Sequence, residues 1–142
     1  MSAARLFGAG LAAGATNLVL GFTFAHFYGV EKLQAVLRDH GLRAIGEPKD
    51  AIPHTIVRLL FGIGATLLFW ALIPRFGATP RAALVAGLFA WAFVYAYTAW
   101  RHHHIGLFTV SMAWAMAMWG IAEMVATAMV GGWIATGRGF WR

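Results

Sequence analysis

Four long stretches that are almost free of charge limit what this chain can fold into. Residues 6–25 and 82–100 contain no Asp, Glu, Lys or Arg, residues 54–73 contain only Arg58, and residues 105–136 contain only Glu123. About 20 apolar residues in a helix cross a hydrocarbon core of roughly 30 Å. The pattern therefore predicts an all-α membrane protein, a bundle of four transmembrane helices.

Composition supports this fold class. The chain is 61% hydrophobic and 11% charged, whereas a soluble domain carries about 25% charged residues to face water. We therefore expect one integral membrane domain over residues 1–142, with spans at about 6–28, 54–73, 82–100 and 105–136. The first stretch is interpreted as a retained span, because the apolar region of a signal peptide is shorter.

A short amphipathic helix is predicted between spans one and two, at about residues 30–41. Val30, Leu33 and Leu37 recur there at helical spacing, and polar side chains cover the opposite side. Such a helix is typical of the membrane interface. Residues 42–53 are expected to form a loop, and Pro74 is expected to end span two.

The Lys and Arg residues bear on the binding partners of the chain and on its orientation in the membrane. They are spread singly rather than in a run, which argues against nucleic-acid binding. Separately, the absence of Cys excludes disulfides and thiolate metal sites. Four spans place both termini on one side. That side carries cations without acids, so we expect it to be cytoplasmic, in a bacterial inner membrane; its cations are Arg5, Arg75, Arg81, Arg138 and Arg142.

Glu123 is the one acid deep inside a span, and it needs a partner because a charge at that depth is costly. The derived partner is Asn17 of span one. Glu123 serves either as a structural tie between helices or as a proton or cation site.

A seam of small and polar residues leads to that pairing. Gly10, Gly14, Asn17 and Gly21 share one face of span one, and Gly120, Glu123, Thr127 and Gly131 share one face of span four. Antiparallel packing of these faces predicts four contacts: Gly10 with Gly131, Gly14 with Thr127, Asn17 with Glu123, and Gly21 with Gly120. The competing interpretation is homodimerisation through the same face.

The histidines form a second candidate site on the opposite side from the termini. Imidazole binds metals, haem and chlorophyll-type pigments, and the candidate ligands are His26, His54, His102, His103 and His104. The alternative is that these rings are placed at the membrane interface without a ligand. Three consecutive histidines cannot share one helical face, and we expect residues 101–104 to form a turn.

Arg58 and Arg101 are predicted to anchor the span ends at this interface, because a long cationic side chain can reach towards water. Arg58 is placed about one turn inside span two, a position too far from Glu123 for pairing. Tyr95, Tyr97 and Thr98 lie towards the same end as Arg58 and are candidates to hydrogen-bond with it.

The last span has the pattern Trp119-Gly120, Glu123, Ala126 and Thr127, and the first span is rich in glycine with an Asn. In these features the chain resembles small bacterial four-span proteins of unknown function. The resemblance implies the architecture and no activity.

The leading hypothesis is a non-catalytic scaffold or accessory subunit that binds lipid and other membrane subunits, or copies of itself. It rests on the small extramembrane portion and on polar groups that internal packing can use. The second hypothesis is a transporter or channel component using Glu123, and the third is a metal, haem or pigment protein using the histidines. No residue pattern indicates a nucleophile or a catalytic base.

Overall fold

Four long helices make up the structure, a computed structural model that describes residues 2–141. They are α1 (Ala3–Asp39), α2 (Pro48–Phe76), α3 (Pro80–His104) and α4 (Val110–Thr136), and each is long and apolar enough to cross a membrane. A 3₁₀ turn, Gly137–Trp141, follows α4. The predicted four-helix membrane bundle is confirmed. Arg142, which entered the orientation argument, lies outside the described residues.

The predicted amphipathic segment is helical at Val30–Asp39, but it continues α1 instead of forming a separate helix. A π-helical turn, Ala25–Gly29, joins the two parts without a break. At about 1.5 Å per residue, α1 is far longer than the roughly 30 Å hydrocarbon core. Its polar end therefore extends beyond the spanning part.

The start of α2 differs most from the prediction, because residues 48–53 are helical. Pro48 occupies the first turn, where its missing N–H costs nothing. The Asp50 carboxylate accepts the backbone N–H of Glu47 at 3.2 Å, which stabilises the helix start. At the other end α2 passes through Pro74 and ends at Phe76, and the next residue, Gly77, has a φ of 72° that few other residues adopt.

The connection between α3 and α4 also differs from the prediction. His102, His103 and His104 belong to the last turn of α3 rather than to a loop. The reversal follows them at Gly106, where φ is 81°. α4 then starts at Val110, with the Thr109 hydroxyl accepting the backbone N–H of Met112 at 3.3 Å.

Each helix packs against two neighbours, and α2 and α4 also touch across the bundle. α1 makes its most extensive contact with α2 and its next with α4, so the predicted antiparallel packing of spans one and four is present. The end of the bundle near the chain termini has an apolar core in which Phe69 and Phe140 meet edge to face at 5.9 Å. The polar residues Asn17, Arg58 and Glu123 lie together towards the other end.

The predicted pairing of glycines across α1 and α4 is wrong. Gly10 and Gly14 pack against α2: an added Cβ would lie 2.9 Å from the Ile63 Cα and 2.6 Å from the Leu59 Cα, respectively. Gly62 of α2 faces Gly14 in return. The closest backbone approach is thus between α1 and α2.

The other seam residues also have different neighbours. Gly21 lies against the guanidinium of Arg58, and Gly120 lies against the ring of Tyr95. Gly131 contacts the Thr66 side chain of α2 as well as Ala13 of α1. All these glycines therefore occupy close contacts, but not with one another across a single seam.

Candidate functional site: a buried ion pair joining four helices

Arg58 lies at the centre of a polar cluster to which every helix contributes a side chain. Its Nη1 donates to the Asn17 Oδ1 of α1 at 3.1 Å and to the Tyr95 hydroxyl of α3 at 2.7 Å. The same nitrogen forms an ion pair with the Glu123 carboxylate of α4. One guanidinium of α2 thereby connects all three other helices.

A second set of hydrogen bonds closes the cluster around Glu123. The Tyr95 hydroxyl donates to Glu123 Oε1 at 2.5 Å. The Asn17 amide donates to the Thr127 hydroxyl at 3.2 Å, and that hydroxyl donates to the Glu123 backbone carbonyl at 2.7 Å. The carboxylate and the amide are therefore both held in fixed orientations.

Burial makes the pairing necessary. Asn17 is 0% exposed and Glu123 1% exposed, while the Arg58 side chain is 15% exposed. An isolated charge inside a membrane span costs about 3 kcal/mol on insertion scales. The opposite charges of Arg58 and Glu123 cancel within the spans, so the bundle carries an internal polar centre with no net charge.

Two sequence predictions about this cluster need correction. Asn17 does not bond directly to Glu123: Arg58 bridges them, and Asn17 lies beside Thr127, one helical turn further along α4. Arg58, predicted to be an interfacial anchor too distant to pair, is the partner of Glu123. Because α2 begins at Pro48, Arg58 lies about 15 Å along the helix rather than one turn inside it. Of the three residues predicted as possible hydrogen-bond partners of Arg58, Tyr95 is the one that bonds to it among the described residues.

Sequence reasoning therefore singled out Arg58 but assigned it the wrong role. The charges in the sequence could have indicated this role, because the four apolar stretches contain one acid, Glu123, and one strong base, Arg58. Pairing both charges in the interior removes two penalties at once. The Pro48 and Asp50 start signal, which places Arg58 deeper, was also present in the sequence.

The histidines are dispersed. His54 Nε2 accepts from Arg58 Nε at 3.3 Å, and His102 and His103 each contact a backbone carbonyl through Nδ1. His104 stacks on Trp100 with ring centroids 5.4 Å apart, and His26 contacts Phe27 edge to face. The described part of the chain contains no group of three or more His, Cys, Asp or Glu positioned to hold a metal. Arg101 is exposed at the end of α3.

A groove of about 280 Å³ between α2 and α3 reaches the cluster from the side. Its polar lining side chains are those of His54, Arg58, Tyr95 and Thr98, and Met116 of α4 also lines it. Tyr95 lies in a π-helical turn, Ala92–Ala96, within α3. Such turns are frequent at functional sites.

Chemically, the cluster can tie the helices together, and through the guanidinium of Arg58 it can present hydrogen-bond donors to the groove. Comparison with protein-family models, with curated proteins and with solved structures finds no match. Function is therefore inferred from the geometry of the ion pair and the groove.

Proposed function

We propose that the chain is a non-catalytic scaffold or accessory subunit of a larger membrane complex. It would reside in a bacterial inner membrane with both termini on the cytoplasmic side. The observation that carries the proposal is the polar cluster: Arg58, Asn17 and Glu123 are engaged in bonds between the helices of this chain. Hydrogen bonds and an ion pair between helices hold the bundle in one arrangement, as a scaffold requires.

The outer surface fits the same role. Large side chains project from the outer face of three helices, with Trp70 of α2 51% exposed, Phe89 of α3 55% and Trp114 of α4 64%. Aromatic residues are enriched at membrane interfaces and at protein–protein contacts. We propose lipid together with other membrane subunits, or further copies of this chain, as the partners of these faces.

Extraction from cells that express the chain at its native level tests the proposal. We expect a tagged chain, solubilised in a mild detergent, to migrate on a native gel as an assembly larger than its 15.4 kDa plus micelle. Trp114→Ala should release it, whereas Trp141→Ala, at an exposed position beyond the end of α4, should not. A lone monomer at native expression would refute the subunit role.

The groove favours a second candidate, a transporter or channel component that uses Glu123 as a proton or cation site. Arg58 and Tyr95, which both bond to Glu123, line this groove. Proton uptake by proteoliposomes tests this candidate. A flux present in the natural chain and lost in Glu123→Gln supports it, provided that the variant remains folded; equal flux in both excludes it.

A further inference from the structure

Charge is distributed unevenly between the two ends of the bundle. Among the residues that the structure describes, the end near the chain termini carries Arg5, Arg75 and Arg81, and no Asp or Glu. Glu123 is in the buried cluster. The other acids are on the polar end of α1 or around the start of α2, namely Glu31, Asp39, Glu47 and Asp50. The end near the termini is therefore a basic surface.

The chain itself does not neutralise these three cations. Every ion pair among the described residues is made by Arg43, Lys49 or Arg58. Arg5 donates to the backbone carbonyl of Ile134 at 3.4 Å, an acceptor without charge. The positive charge of all three guanidiniums can therefore act on a partner outside the chain.

The ring of Phe76 brings two of these cations together. Arg75 and Arg81 are exposed on either side of the connection between α2 and α3. Their guanidinium carbons lie 5.9 Å and 5.6 Å, respectively, from the centre of the Phe76 ring. That ring packs against the apolar core at this end of the bundle. Attraction to one anchored ring restricts both guanidiniums before any ligand binds.

The position of this pair in the membrane indicates the ligand. Residues 77–79, which are not helical, join two spanning helices, so they lie at a surface of the bilayer, at the depth of the lipid head groups. Two like charges held near each other favour an anion between them, and guanidinium groups bind phosphate oxygens strongly. We propose that Arg75 and Arg81 bind the head group of an anionic phospholipid, with Arg5 adding to the attraction.

Net charge selects the class of lipid. A zwitterionic head group brings its own cation to the basic surface, whereas an anionic head group offers its phosphate charge to the arginines alone. Each Lys or Arg near an anionic lipid contributes roughly fivefold to binding, so the pair contributes about 25-fold. This binding rests on the membrane placement of the proposed function and not on other subunits. A lone monomer would refute the subunit role and leave the lipid site intact.

Native mass spectrometry of the full chain tests the site. The chain is titrated in detergent with dioleoylphosphatidylglycerol, which is anionic, or with dioleoylphosphatidylcholine, which has the same tails and no net charge. We expect a saturable adduct of the anionic lipid, with an affinity about tenfold or more above that of the zwitterionic lipid. Inorganic phosphate in the same excess should not displace the lipid, because free phosphate lacks the tails that lie along the spanning helices.

Two matched double variants make the test specific to this end of the bundle. Arg75→Gln with Arg81→Gln should lower the affinity for the anionic lipid about 25-fold. Arg38→Gln with Arg101→Gln removes two exposed arginines from the opposite end and should leave that affinity unchanged. Circular dichroism confirms that both variants fold. Equal affinity for the two lipids, equal losses in the two double variants, or displacement by phosphate would overturn the proposal.

Discussion

Replacing Glu123 by glutamine tests whether the ion pair stabilises the bundle by its charge or only by its hydrogen bonds. The amide oxygen of Gln can still accept from Arg58 and from Tyr95, so the hydrogen bonds to Oε1 are retained. What disappears is the negative charge. Arginine cannot lose its proton, and the variant therefore leaves a positive charge without a partner in a side chain that is 15% exposed.

Breaking a buried ion pair costs about 3–5 kcal/mol. The partial exposure of Arg58 offers some relief, so we expect Glu123→Gln to lower the free energy of unfolding by about 3 kcal/mol. Removing both charges, as in Arg58→Met with Glu123→Gln, should be less harmful. It loses the three bonds of Arg58 Nη1, at about 0.6 kcal/mol each, or about 2 kcal/mol in total.

The assay is equilibrium unfolding in detergent micelles titrated with sodium dodecyl sulfate, followed by circular dichroism. Glu31→Gln is the matched control, because Glu31 is an exposed acid of α1 and should be replaced without effect. A Glu123→Gln variant as stable as the natural chain would refute the charge argument. The single variant Arg58→Met is measured as well. If the double variant lost as much stability as the two single variants added together, the coupling between Arg58 and Glu123 would be refuted.

Two further substitutions test the packing and the cluster. Gly14→Leu should prevent assembly of the bundle, because an added Cβ would lie 2.6 Å from the Leu59 Cα. Gly8→Leu on the same helix should fold normally, because a Cβ at Gly8 has nothing within 4 Å. Size-exclusion chromatography separates the two outcomes, and normal folding of both variants would contradict the packing. Tyr95→Phe removes the hydroxyl between the two charges and should lower the free energy of unfolding by about 1 kcal/mol in the same assay. Tyr97→Phe, at a 54% exposed site, should leave the free energy of unfolding unchanged. Equal losses of stability in the two variants would argue against the role of the Tyr95 hydroxyl.

Hydropathy was enough to predict the fold class, because the alternation of apolar stretches and polar connections needs no knowledge of tertiary contacts. The errors lay at helix ends. α1 continues through residues 25–29 as a π turn, which hydropathy cannot distinguish from a break. α2 starts six residues earlier than the predicted position 54, at Pro48, because local start signals outweigh polarity there.

The choice of helix neighbour could not be made from spacing. Adjacent residues of a helix point about 100° apart, so one buried strip can contact two partners. On α1 this happens at consecutive positions: Ala13 lies against Gly131 of α4, and Gly14 lies against Leu59 of α2. The pattern of small residues correctly marked the buried strip. It carried no information on how the strip is divided between α2 and α4.

Two glycines that were assigned to backbone contact instead make room for the polar cluster. A Cβ on Gly21 would lie 2.6 Å from the Arg58 guanidinium carbon, and a Cβ on Gly120 would enter the ring of Tyr95. Gly21 lies one turn from Asn17, and Gly120 lies about one turn from Glu123. Small residues beside a buried polar residue therefore indicate space for a large side chain from another helix as readily as they indicate close backbones. In this chain the large side chains are the two that bond to the only buried acid among the described residues.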